Sequence, residues 1–371
     1  MKVDQVYKTL LKSDENFLPT LLGHFSREKV ALPVESFGVG TDRERTTFLI
    51  VPLEEIERPS WVKIYFKAIR PELLGLTLGQ AAVALISLKP LLQANGIFIQ
   101  EFDPTFIVSS LACLCAIFFT HAAACLLNDF HDHVEGLDRR STSQGSRVIQ
   151  KGWSKAYEIQ RWAYVNAALA VGIGIYLLWG HWLLFLGLGA LTALSILFYS
   201  NMTPFWNRLG AGDFWITLLF GPLLFFSIWV SVYSPENPIK LSRLLLLDGV
   251  LLSLCFGLLA SWTFQVRQFQ GIFKRQPGSF RTIVSRLNFD QARKFLALEG
   301  GLFFALQSIC FYFIWGDLLS SLFLFGAGLS LWGILKQIFG LASPLSSAML
   351  SLKGRALKAH GWFLIVWAVV L

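Results

Sequence analysis

Charge is scarce in this chain of 371 residues. Asp, Glu, Lys and Arg together make up 15% of it, against about 25% in an ordinary soluble domain. With 54% hydrophobic residues and a mean hydropathy of +0.55, that scarcity excludes a water-soluble globular enzyme. Cysteine is sparse too. The five residues Cys113, Cys115, Cys125, Cys255 and Cys310 all lie in apolar runs, and an odd number there builds no disulfide framework. Cys113 and Cys115 form C-x-C without completing a zinc pattern, so they read as small packing residues. No G-x-x-x-x-G-K-[ST] occurs, which removes P-loop kinases and ATPases. The first 60 residues lack a single apolar core, so no cleavable leader is expected and the N-terminus stays where it was made.

What the chain has instead is hydrophobic length. Apolar runs fall near 71 to 92, 104 to 127, 160 to 179, 181 to 200, 212 to 233, 244 to 264, 296 to 315, 318 to 338 and 358 to 371. Runs of about 17 to 25 residues cross a bilayer core as helices. The last is short, and residues 342 to 352 are alternatively an interfacial helix before it, which leaves eight or nine spans. The expected fold is an all-α polytopic membrane protein with a bundle of about nine transmembrane helices. Its 13 Trp and 33 Phe suit helix ends among lipid headgroups. Residues 1 to 60 form a separate cytoplasmic extension of unknown role, a small cap or a partly disordered arm, ahead of a membrane domain over 61 to 371. Within the extension, residues 46 to 53 read as a strand and residues 3 to 11 as a short amphipathic helix.

The loops sort by charge. Basic residues collect before the first run and after the second, fourth, sixth and eighth, while the opposite side holds only Lys89, Lys240 and Arg243. The positive-inside rule therefore puts the N-terminus in the cytoplasm. The net charge of +8 is a topology signal of this kind, and no nucleic acid partner is expected.

One polar run stands out at the end of the second span, Asn128-Asp129-Phe130-His131-Asp132-His133-Val134-Glu135-Gly136-Leu137-Asp138. Carboxylates beside lipid need a cation, basic partners or water. Asp129 and Asp132 are three apart, so a helix continuing through them points both to one face, where they can share a divalent ion. Mg2+ suits oxygen ligands and bridges to substrate phosphates. Asn128 adds a carbonyl oxygen or orients a carboxylate, and Asp138 folds back after Gly136 as a further ligand. A solvated loop cap is the plain alternative. A transition-metal site at His131 and His133 is the other, though their spacing suits neither an i, i+4 pair nor a zinc pattern.

These residues resemble the first aspartate motif, N-D-x-x-D with a further Asp, of the UbiA-type intramembrane prenyltransferases. The Gly136-x-Asp138 version looks most like the 1,4-dihydroxy-2-naphthoate polyprenyltransferases of menaquinone synthesis. Arg70-Pro71, the basic segment Gln144-Gly145-Ser146-Arg147-Val148-Ile149-Gln150-Lys151-Gly152, and the stretch from Tyr199-Ser200 through Gly210-Ala211-Gly212-Asp213 to Gly221-Pro222 are similar to further family segments. The likeness runs over about residues 60 to 371.

The resemblance implies a central cavity open to lipid in which Mg2+, held by Asp129, Asp132 and Asp138, binds a polyprenyl diphosphate that alkylates an aromatic acceptor. It implies diphosphate contacts from Arg147 and Lys151, for which headgroup anchoring is the alternative. It also implies a bacterial inner-membrane location among lipid. Tyr199, Asn201 and Asp213 become candidates for the acceptor or cavity, with helix capping the other role open to Asp213. Asp248 reads as structural, and Asp317 carries no role.

The chain departs from the family where a second aspartate motif belongs, after the sixth run. No Asp or Glu occurs from Gln265 until Asp290, and Gln268 stands where the first Asp would fall. An amide is a poorer Mg2+ ligand than a carboxylate. Either Arg267, Lys274, Arg275 and Arg281 neutralise the diphosphate directly, or the protein is a catalytically impaired family member that binds an isoprenoid or a partner. Pro277-Gly278-Ser279-Phe280-Arg281-Thr282 still resembles the family's glycine-Arg-Thr stretch. A carrier is disfavoured because no repeat is visible and the acids cluster at one surface.

Overall fold

The computed structural model describes residues 6–94, 104–136, 138, 145–179, 182–200, 211–232, 249–269, 282–314, 318–343 and 346–370. The chain divides into two compact units. One holds Met1–Leu74 with Phe118–Ala170, the other Gly75–Ile117 with Val171–Leu371.

The first unit begins with β1 (Val6–Leu11), α1 (Phe17–Leu22), β2 (Lys29–Phe37) and β3 (Arg45–Pro52), an antiparallel sheet in the order β1-β3-β2. The expected strand at 46 to 53 is thus β3, within one residue at each end. Of the helix expected over residues 3 to 11, the described part, Val6–Leu11, is instead strand β1. Six residues are too few for a helix nucleus to repay its cost, whereas β3 offers a full ladder from Val6↔Ile50 to Leu11↔Arg45. Pro33 is tolerated because β2 is an edge strand, with an irregularity between Pro33 and Glu35. Leu10, Phe17, Leu21, Ala31 and Phe48 make a small core under the sheet. The helix α2 (Trp61–Ala68) follows, its first turn capped by Ser60, whose side chain accepts from the Lys63 amide.

The apolar runs carry α3 (Pro71–Ala94), α4 (Pro104–Val134), α5 (Ala156–Leu177), α6 (Trp182–Ser200), α7 (Gly212–Val232), α8 (Val250–Phe269), α9 (Phe289–Ile314), α10 (Leu318–Gly340) and α11 (Met349–Val370). Among the described residues four helices are long and apolar enough to cross a membrane: Pro71–Gln93, Pro104–Val134, Gly212–Val232 and Val250–Phe269. Two expectations are corrected. The sixth run, placed at 244 to 264, is helical over Val250–Phe269, so Arg267 and Gln268 sit on the last turn of α8 and not in a loop. The helix runs on because Gln265, fully buried, finds a side-chain partner in Glu299. The last run is not short: α11 starts at Met349. Met349, Leu352, Ala356, Ala359, Phe363 and Trp367 are buried along it at spacings of three and four, which merges the end of the supposed interfacial helix, residues 349–352, into α11.

The second unit packs around aromatic rings. Phe225 stacks on Phe256 at 5.2 Å and Phe303 meets Phe363 edge-on at 5.0 Å between centroids. Buried polar atoms are satisfied across helices: Trp229 Nε1 donates to Ala84 O at 2.7 Å, Trp262 Nε1 to Leu296 O at 3.0 Å, and Gln80 Nε2 to Phe256 O at 3.0 Å. Large apolar side chains such as Leu183, Phe325, Trp332 and Val369 stay exposed, which suits a lipid solvent.

Helices α7 and α8 cross at glycines. A Cβ on Gly221 would lie 2.5 Å from Ser253 O, and one on Gly257 would collide with Thr217 O. Close backbone approach through small residues is the usual packing device where lipid gives no hydrophobic drive. Beside the crossing α7 opens into a π turn at Leu219–Leu223 containing Pro222, whose missing amide proton such a turn accommodates. Gly257→Val should lower the stability of the detergent-solubilised protein by about 1–3 kcal/mol through overpacking. Gly172→Ala, with nothing within 4 Å of its Cβ, should leave the denaturation midpoint unchanged or slightly raised.

Candidate functional site

The second helix does continue through the polar run. It ends at Val134, so Asn128, Asp129 and Asp132 are helical. They are all buried, at 6%, 2% and 8% exposure, and Asp138 is buried at 4%. Asn128 Nδ2 donates to Asp132 Oδ2 at 2.8 Å, one helical turn on. Asp129 receives the Arg70 guanidinium on one oxygen and the Ser146 hydroxyl on the other. Gln150 Nε2 donates to Asp138 Oδ2 at 3.1 Å.

The backbone around these acids is strained where it must be. Arg70 and Arg147 have left-handed φ values of 56° and 62°, rare for residues with a Cβ and costly unless the surroundings hold them. At Arg70 the holding contact is the ion pair to Asp129, side chains 13% and 2% exposed. Burial disfavours its charge, but Asp129 above all, with Cys125 and Asp132, outweighs that and raises the Arg70 pKa above its ordinary value. Gly145, at φ +78°, occupies the point where two acids converge: a Cβ there would lie 3.2 Å from Asp138 Oδ1 and 3.5 Å from Asp129 Oδ1.

Among the described residues no group of three or more His, Cys, Asp or Glu is gathered at metal-binding spacing. The expected ligand set of Asp129, Asp132 and Asp138 is thus not assembled as a three-acid group, because each carboxylate is satisfied by its own donor: Arg70, Asn128 and Gln150. The chemistry nonetheless fits Mg2+. The donors are carboxylate and amide oxygens, and the missing side chain at Gly145 leaves room where Asp129 and Asp138 meet.

The other expected residues fall as follows. Arg147 is half-buried, and Lys151 is exposed with its ammonium 4.4 Å from the Trp153 ring. Arg267 and Gln268 lie on the last turn of α8, and Tyr199 on the last turn of α6. Asp213 is buried and does not cap α7. Its Oδ2 accepts from the Ile283 amide at 2.7 Å, and no side-chain cap bond forms. Asn201, Lys274, Arg275, Arg281, Asp248 and Asp317 lie outside the described residues. His133 Nε2 is 3.1 Å from Leu21 O, so a backbone contact already engages that ring.

Arg70, Ser146 and Gln150 were not singled out from the sequence as site residues, although all three lie in segments that carry the family likeness. For Arg70 the signal was present: a basic residue at the mouth of an apolar span needs an acid partner. For Ser146 and Gln150 only the chain's return past Gly145 brings them to the acids.

A model of the UbiA prenyltransferase family matches residues 91–351. Among solved structures, a UbiA homolog from Archaeoglobus fulgidus bound to DMAPP and Mg2+ superposes with a TM-score of 0.53 at 14% identity, covering 82% of this chain and 99% of that one. The same homolog bound to GPP and Mg2+ gives 0.53 at 15% identity, with 82% and 99% covered. A structure from work on digeranylgeranylglyceryl phosphate synthase gives 0.53 at 15%, covering 83% and 97%. At such identities the likeness speaks for the fold. No curated protein matches the chain in sequence. Since the family match spans well over half of its residues, the chain belongs to the UbiA prenyltransferase family.

Proposed function

We propose that this prenyltransferase transfers a polyprenyl group from polyprenyl diphosphate to 1,4-dihydroxy-2-naphthoate, in quinone synthesis at a bacterial inner membrane. In this reading all nine apolar helices cross the bilayer and the N-terminus is cytoplasmic. The observation that carries the reaction class is the burial of Asn128, Asp129, Asp132 and Asp138 beside an apolar helix, with Asp129 and Asp138 meeting at Gly145. It would hold Mg2+ with Asp129, Asp132 and Asp138 as ligands and Asn128 orienting Asp132. The Archaeoglobus fulgidus homologs, which bind DMAPP or GPP with Mg2+, support that assignment. The naphthoate acceptor rests on the Gly136-x-Asp138 form of the motif.

When bound, Mg2+ supplies the positive charge that a departing diphosphate requires. The protein's own part is to bind and to exclude water. Arg147, Lys151, Arg267, Lys274 and Arg281 bind the diphosphate through charge-assisted hydrogen bonds. As the allylic C–O bond breaks, the diphosphate leaves with the electron pair, apolar walls keep water from the cation, and the aromatic carbon that attacks then gives up its proton or its carboxyl group as CO2 to restore the ring. Tyr199, Asn201, Asp213 and Gln268 line the acceptor side.

Purified protein in detergent, given polyprenyl diphosphate, Mg2+ and dihydroxynaphthoate, should form prenylated product. Asp129→Asn and Asp132→Asn should each slow it by about 100-fold or more. Failure to prenylate any aromatic acceptor while still binding the isoprenoid would overturn the proposal.

A second outcome isolates Gly145. Gly145→Ala must adopt a left-handed φ, at a cost of order 1–3 kcal/mol, and presses a methyl against Asp129 and Asp138. The Mg2+ concentration for half-maximal rate should rise while the α-helical circular dichroism stays unchanged. An unaltered Mg2+ dependence would count against metal binding at these acids.

A further inference from the structure

Helices α9 and α10 pack together within the second unit and leave a groove of about 580 Å3 between them. Its lining is almost wholly apolar, with Phe304 on one side and Phe325, Leu329 and Trp332 on the other. Missing side chains make the space. A Cβ on Gly301 would meet nothing within 4 Å, while one on Gly328 would collide with the Phe304 ring, which therefore seats against the α10 backbone. On α10 the lining residues Phe325, Leu329, Trp332, Lys336 and Phe339 recur at spacings of three and four, so they form one stripe. All five are exposed, and Lys336 is the one charged member.

The charge is confined to one end of the groove. Lys336 lies four residues, about 6 Å of helix rise, before the last residue of α10, Gly340. Arg293, near the start of α9, donates from Nη1 to Phe339 O and Leu341 O at 3.2 Å each, so the two helices run antiparallel and are clamped at that end. Arg293 also pairs with Asp290, which occupies both. Lys294 is exposed at the same end, one turn before Ala297 of the lining. Among the described residues neither Lys294 nor Lys336 forms an ion pair. An ammonium on an apolar stripe keeps its stem in hydrocarbon and carries its head to the interface, and basic pockets between membrane helices select anionic headgroups there.

We propose that this groove seats an acyl chain of one anionic glycerophospholipid, whose phosphate lies against Lys336 and Lys294. Charge complementarity picks the occupant: a zwitterionic lipid offers the same chain, but its own cation opposes the lysines. The site requires that α9 and α10 lie in lipid, as in the membrane-crossing reading above, and is independent of prenyl transfer.

The test is native mass spectrometry of the full chain, delipidated in mild detergent and titrated with phosphatidylglycerol or phosphatidylcholine of identical acyl chains. One phosphatidylglycerol should bind at least about 5-fold more tightly than phosphatidylcholine, and Lys336→Gln should lower that preference by about the same factor. Gly301→Leu fills the groove from a position with free space around it and suits a helix; it should lose the bound lipid with its melting temperature maintained. The proposal is overturned if Lys336→Gln keeps the parent's headgroup preference, or if folded Gly301→Leu keeps the lipid, since bulk lipid then merely solvates the groove. A dimer without lipid in the parent that Gly301→Leu abolishes would give the groove to a second copy of the chain and overturn it too. Should Gly301→Leu fail to fold, Lys336→Gln decides alone. No substrate is present, so failure here is distinguishable from failure of prenyl transfer.

Discussion

The buried ion pair between Arg70 and Asp129 is the contact on which the candidate site depends. Neither partner is tolerable alone. Removing one side of a buried pair typically costs about 3–5 kcal/mol because the other charge is left without compensation. The pair also explains the left-handed backbone at Arg70, where the chain turns from α2 into α3 and presents the guanidinium to α4. His121 secures the same turn one residue earlier, its Nε2 lying 3.2 Å from Ile69 O. Asp129 is thereby fixed before any substrate arrives, and its other oxygen is held by Ser146 from the returning segment.

That returning segment is shaped from below by the N-terminal sheet. Lys155 is the anchor. Its Nζ donates to Ser26 O at 2.5 Å and Arg27 O at 3.0 Å, and desolvation lowers its pKa, opposed by Glu158. Arg58 reaches Trp153 O at 2.9 Å from Nε, and Gly152 sits where a Cβ would touch Ile56, Leu32 and Val30. His133, within the polar run, contacts Leu21 O of α1. Residues 6–60 therefore act as a brace for the motif segment within one compact unit. Basic residues of that segment divide accordingly: Lys155 is consumed by structure, while Lys151 stays exposed against the Trp153 ring.

Hydropathy made the helices legible because lipid imposes length and continuous apolarity on each crossing. Their ends were less so. α8 runs on to Phe269 and α11 starts at Met349 because tertiary partners, Glu299 for Gln265 and a buried stripe along α11, outweigh local polarity. Strand β1 was misread for a related reason: six mixed residues have no decisive period, and only the ladder to β3 selects extended backbone. At the site, Asn128, Asp129 and Asp132 were readable from helical spacing, since all three belong to one element. Gly145, Ser146 and Gln150 come from a segment that folds back, and Gln265 with Glu299 from two helices, so their proximity exists only in three dimensions.

The distribution of acids follows from the way each unit satisfies them. In the first, every carboxylate of the motif has a donor, and a positive charge is built in through Arg70. In the second, the backbone is already committed. The glycine crossing of α7 and α8 fixes the spacing of those helices, and the Ile283 amide fills only one oxygen of Asp213. Asp213 Oδ1 and Gln265 Oε1 are left without a partner, while Gln265 is held to Glu299 through its amide nitrogen. In the first unit an added ion competes with Arg70 for Asp129, and so binds against an existing ion pair.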